Sequence, residues 1–162
     1  MSDVDQPNEP VRTPDAAARH RARELAIQWL YQWEIGATDL EDVFDRERQV
    51  ELRPPDAPRD RFAEALVRGT AEHLSRIDPL IAEHANNWRL ERLAVVDRLV
   101  LRLATYELLY APETPPAVVI DEALELARTF SNESAVPFVN GVLDAIRRTL
   151  DAGRDSADPS QD

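Results

Sequence analysis

The chain contains no cysteine and no lysine. Without cysteine there are no disulfides and no thiolate metal sites, so nothing calls for an oxidising compartment. Without lysine, all 19 basic residues are arginine. Every side-chain cation offered to a phosphate is then a planar guanidinium, able to bind bidentately and to stack on bases. Four glycines are present, and none belongs to a glycine-rich phosphate loop. The three histidines, His20, His73 and His84, lack the spacing of a metal site. No apolar run approaches the roughly 18 residues of a membrane span. The opening MSDVDQPNEP is acidic and has no signal-peptide core. Together these absences predict a soluble, cytoplasmic protein without cofactor, metal or catalytic constellation.

A chain of 162 residues has room for one core. Its formal net charge of −12 argues against indiscriminate attraction to nucleic acid. The charge is uneven, however. Residues 1–15 carry four acids and one arginine, as do residues 151–162, so each end supplies −3 of the total. The first 14 residues, with three prolines, read as a disordered acidic tail. Residues 15–150 read as one helical domain, and residues 151–162 as a second acidic tail.

Ala22, Leu25, Ala26, Trp29, Leu30 and Trp33 recur on one helical face from Ala16 until Gly36 stops the run. Thr38 and Glu41 have the spacing of a capping box before a short helix that turns Leu40, Val43 and Phe44 inward. A loop with Pro54, Pro55 and Pro58 follows. Phe62, Leu66, Gly69, Thr70, His73 and Ile77 mark a third helix, and Asp78-Pro79 fits the start of a fourth that runs to about Ala85. The stretch from Ala94 to Tyr110 is apolar over more than half its circumference, the pattern of a central bundle helix. Another helix spans about Ala117 to Phe130, and a last one follows the turn Ser131–Ser134 and ends near Leu150. No period-two strand pattern exceeds three or four residues. The fold is expected to be all-α, with about seven helices.

Arg19, His20, Arg21 and Arg23 crowd the start of the first helix. Cations there oppose the helix macrodipole by roughly 0.3–1 kcal/mol each, a cost compatible with a role on phosphates and unstacked bases. Arg98 and Arg102 share a face of the central helix and need acids from elsewhere, for which Glu122 and Glu125 are plausible. Arg102 and Glu107 fit an internal ion-pair network. Asp97, nearer the helix start, suits the dipole and can also face a partner. Gly141, in Phe138-Val139-Asn140-Gly141, is expected to let a neighbouring helix approach, with Asn140 bonded to a loop or helix end. Phe138 fits either a core position or an exposed stacking platform.

Three segments in order resemble the NusB family of bacterial transcription antitermination factors over about residues 17–148. RHRARELAIQWLYQWE resembles the family's arginine-rich opening and A-L-Y-x-W helix. RLAVVDRLVLRLATYELLY resembles its D-R-x-x-L-R-x-A-x-Y-E-L segment, and PPAVVIDEALELARTFSNESAVPFVNGVLD its E-A-x-E-L-A-K-x-F…F-V-N-G-V-L-D end. The resemblance implies a compact bundle of three- and four-helix halves without catalysis. It implies binding of single-stranded boxA RNA of ribosomal RNA leaders, with a small-subunit ribosomal protein (NusE) as partner, within an RNA polymerase antitermination complex. By position it puts Arg19, His20, Arg21, Arg23 and Phe138 on RNA, and Tyr31, Glu91 and Asp97 on the ribosomal protein. His20 stands where an arginine is common, which weakens the cationic patch. Ser134 occupies a turn position that is often acidic, so affinity there is not inherited. The rival class is a protein-only helical scaffold, or homodimer, without RNA binding. A similar RNA-binding domain precedes a cytosine methyltransferase in some RNA-modifying enzymes, but that arrangement needs a catalytic domain after residue 150.

Overall fold

The computed structural model describes residues 15–36, 38–51, 58–86 and 88–157, and among these the regular structure is entirely helical. Seven helices follow in order: α1 (Ala16–Gly36), α2 (Leu40–Glu51), α3 (Pro58–Glu72), α4 (Leu74–His84), α5 (Val95–Tyr110), α6 (Pro116–Phe130) and α7 (Val136–Ala157). Short 3-10 turns, Leu90–Arg92 and Glu133–Ala135, precede α5 and α7. Helix α1 packs on α2 and α3, while α4, α6 and α7 gather around α5, which also contacts α1 and α3. The result is the expected pair of three- and four-helix halves, joined through α5 in one continuous core. No helix among the described residues is long and apolar enough to cross a membrane.

The packing follows from the apolar stripes. Leu99, Val100, Leu101, Leu103, Ala104 and Leu108 of α5 are all buried, and each of the larger aliphatic side chains contributes roughly 1.5–3 kcal/mol. Trp29 of α1 meets Phe44 of α2 edge-on at 5.1 Å, and the Arg68 guanidinium covers the same Phe44 ring at 4.8 Å. Helix α1 is capped by Asp15, whose Oδ1 accepts from the Ala18 amide at 2.7 Å. Pro116 opens α6, where a missing amide proton costs nothing.

Several local expectations are corrected. The third helix ends at Glu72, and the chain breaks at His73 rather than at Asp78-Pro79. Pro79 lies inside α4 on its exposed side, where the carbonyl it leaves unbonded can face water. Thr38 and Glu41 form no capping box. The Thr38 hydroxyl donates to the Gly36 carbonyl, and Glu41 pairs with Arg68 of α3, which holds its carboxyl below the usual range. Pro58 opens α3, while Pro54 and Pro55 lie outside the described residues, as do residues 1–14 and 158–162. Helix α7 continues past Leu150 to Ala157, helped by Arg147–Asp151 and Arg154–Asp151 pairs one turn apart.

The close helix approach expected at Gly141 occurs at Gly69 instead. A Cβ on Gly69 would lie 2.1 Å from Cζ of Tyr106, whereas one on Gly141 would meet nothing within 4 Å. Gly141 and Asn140 are exposed on α7. Arg98 and Arg102 do find acids, but not on α6. Arg98 pairs with Glu34 of α1, and Arg102 reaches Glu34 at 3.1 Å and Asp78 at 2.9 Å. Glu122 and Glu125 serve His20 and Arg128.

Candidate nucleic-acid interface

The arginine-rich start of α1 divides by helical phase. Arg21 is exposed and Arg19 half-buried, and among the described residues neither side chain meets a carboxylate. His20 is held between two acids, with Nδ1 2.6 Å from Glu122 and Nε2 3.0 Å from Glu24. Arg23 is only 2% exposed, so its placement on an RNA surface is corrected. Its Nε donates to Glu107 Oε2 at 3.0 Å and its Nη2 to Oε1 at 2.8 Å, and Phe62 lies beneath the guanidinium. Burial disfavours its charge, yet the bonds to Glu107, with Glu107 and Glu122 as neighbouring anions, hold its pKa above the usual value. Arg23 is a buried structural cation, and the accessible patch consists of Arg19 and Arg21.

Phe138 sits elsewhere. It is half-buried in the opening turn of α7, where the Asn132 side chain, accepting from the Ala135 amide at 3.1 Å and from the Ser134 hydroxyl, shapes the preceding turn. It lines a groove of about 440 Å³ with Trp88, Arg92, Asp97, Asn132 and Ser134. Asp97 and Glu107 are ten residues apart on α5, or about 15 Å along the axis. The structure therefore brings Phe138 together with Asp97 and separates it from the arginine opening. Asp97 has one carboxylate oxygen, Oδ1, buried without a hydrogen-bond partner.

Tyr31 is 44% exposed and lines a second groove, about 480 Å³, with Ile27, Gln28, Gln32, Val96 and Phe130. Val96 and Asp97 are consecutive on α5 and point about 100° apart, so the two grooves flank the start of that helix. Glu91 is exposed on the 3-10 turn before that helix. Tyr31, Glu91 and Asp97 thus occupy one end of the bundle. Sequence reasoning missed Trp88, Arg89 and Arg92, all exposed. A tryptophan outside any apolar stripe, followed by two arginines within four residues, is the signal that could have found them.

A helical bundle with free guanidiniums at one helix start, and aromatic-lined grooves at the far end of its central helix, defines a macromolecule-binding module. The model of the NusB family matches residues 20–148. The chain belongs to the NusB family of bacterial transcription antitermination factors, which are not enzymes. It is 49% identical over 134 residues to the transcription antitermination protein NusB of Solibacter usitatus, covering 83% of this chain and 91% of that protein. Among solved structures it is similar to NusB of T. maritima, with a TM-score of 0.71 and 41% identity over 80% of this chain and 90% of that one. It is also similar to a chain in a crystal structure of antitermination factors NusB and NusE in complex with double-stranded RNA. There the TM-score is 0.73 and the identity 28%, over 83% of this chain and 99% of that one.

Proposed function

We propose that this chain promotes processive transcription of ribosomal RNA by binding boxA-type single-stranded RNA together with a small-subunit ribosomal protein in the NusE role. It acts in the cytoplasm, within an RNA polymerase antitermination complex. The observation that carries this reading is that Arg19 and Arg21 stand without acidic partners among the described residues of a chain of net charge −12. The relative solved with NusE and RNA supports it. Single strands are favoured because arginine and aromatic side chains read bases only where these are unstacked. RNA contacts fall to Arg19, Arg21 and Phe138, with His20 at the margin of the patch. Tyr31, Glu91 and Asp97 face the ribosomal protein. A gel shift on boxA RNA, with and without the ribosomal protein, tests this directly. The rival reading, a protein-only scaffold or homodimer, rests on the acidic net charge and gains if neither mixture shifts the RNA.

Replacing Arg19 and Arg21 together with alanine is expected to weaken boxA binding while leaving the melting midpoint in place. Two fewer phosphates are then neutralised, so the slope of log affinity against log salt should become shallower by about 1.4. A folded variant with an unchanged slope would remove these arginines from the RNA site.

Asp97→Arg is expected to lower affinity for the ribosomal protein at least tenfold, about 1.4 kcal/mol, without weakening RNA binding by the free protein. The motive is the unpartnered Oδ1 in the groove at the start of α5, since a buried acceptor left unbonded gains most when a donor arrives. Calorimetric titration checks the affinity. If thermal stability collapses instead, Asp97 belongs to the fold and not to the interface.

A further inference from the structure

Trp88 is 58% exposed, and its ring lies 6.4 Å from that of Phe138 at 67°. Trp88 and Leu90 are each tied to neighbouring helices by backbone groups. Asn86 takes a left-handed backbone, φ 44°, that turns the chain at the end of α4. The Trp88 amide donates to the Ala85 carbonyl at 3.1 Å, and Arg98 of α5 donates from Nη1 to the Leu90 carbonyl at 3.2 Å. The indole is thus presented next to the 3-10 turn that leads into α5. Arg89 and Arg92 share its surface, and among the described residues neither has a carboxylate partner.

We propose that Trp88 and Phe138 form an aromatic notch for an unstacked base of single-stranded RNA, with Arg89 and Arg92 on the flanking phosphates. This rests on the RNA-binding reading above and deepens it by adding a second contact region, away from the arginine opening. With Trp88 58% exposed, the indole offers ring surface beside Phe138, and any base can stack on an aromatic ring. Guanidiniums beside aromatic rings match the alternation of phosphate and base along a strand. Arg89 and Arg92, without carboxylate partners among the described residues, favour a phosphate-bearing strand on their side of the rings, whereas Asp97 of the same groove marks the side left to the ribosomal protein.

The test is a titration of fluorescently labelled single-stranded boxA RNA with the full chain, Trp88→Ala, Trp88→Phe, and the Arg19→Ala/Arg21→Ala double variant. Trp88→Ala is expected to bind about tenfold more weakly, within the range of one base–aromatic stack, and Trp88→Phe to retain most of the affinity. In the unmodified protein, RNA should quench tryptophan emission, and this quenching should vanish in Trp88→Phe, because Trp29 is buried and Trp33 half-buried. That second readout does not depend on how well the alanine variant folds. If Trp88→Ala binds like the unmodified chain and no quenching occurs while the double arginine variant loses affinity, the notch is overturned and the RNA reading stands. If the unmodified protein binds no RNA, both fall. Normal RNA binding by Trp88→Ala with abolished binding of the ribosomal protein would assign this face to protein docking and overturn the notch.

Discussion

Glu107→Ala is expected to destabilise the protein by about 3–5 kcal/mol, because it leaves the Arg23 guanidinium buried and unpaired between α1 and α5. Both partners are 2% exposed and share a two-pronged contact with Nη2–Oε1 at 2.8 Å and Nε–Oε2 at 3.0 Å. Replacing the pair as a unit, Arg23→Met with Glu107→Leu, should recover most of that loss, since apolar side chains of similar volume bear no desolvation cost. Urea denaturation of the two single variants and the double one measures the coupling. A loss below about 1 kcal/mol in Glu107→Ala, small beside the usual penalty for a stranded charge, would mean that water reaches the pair and that Arg23 is available to a ligand after all. The outcome bears on any study of RNA binding, because an alanine scan that includes Arg23 would confuse unfolding with weakened recognition.

Phe138→Ala is expected to reduce affinity for single-stranded boxA RNA by about 1–3 kcal/mol, the worth of one stacked base. The ring is only half-buried at the edge of the core, so the stability cost should stay below the roughly 3–5 kcal/mol of a fully buried phenylalanine. Fluorescence anisotropy on the RNA and a denaturant titration on the protein separate the two effects. A variant that suffers the full core penalty yet binds RNA normally once folded would assign Phe138 to packing.

The elements legible in the sequence are those whose stripes are long and whose ends carry strong signals. Helix α1 starts at Ala16 and stops at Gly36, as its apolar period and glycine indicate. Helix α5 is central because it has too many apolar residues for one face. What local patterns do not reveal is set by contacts distant in sequence. The close approach of α3 to α5 depends on Gly69 admitting Tyr106, a pairing that no local pattern records. Arg23 looks like its neighbours Arg19 and Arg21, yet its partner lies 84 residues away. Likewise the membership of Arg102 and Glu107 in internal ion pairs can be read from charges set in an apolar helix, but not the identity of their partners. At the candidate site, Phe138 fits two roles by its sequence position and holds an intermediate one in the fold, packed on one side and open on the other. Trp88 carries no periodic signal because it falls where the helical repeat is interrupted.

Helix α5 has the arginine opening of α1 beside its C-terminal half, through Glu107, and the aromatic groove at its start, through Asp97. As a single helix it fixes the spacing of its own two contact points, Asp97 and Glu107, at about 15 Å along its axis. On the proposed RNA reading, a strand that engages both regions is held bidentately, and each region raises the effective concentration of the other. The length of α5 would then act as a molecular ruler for the shortest RNA that gains from both.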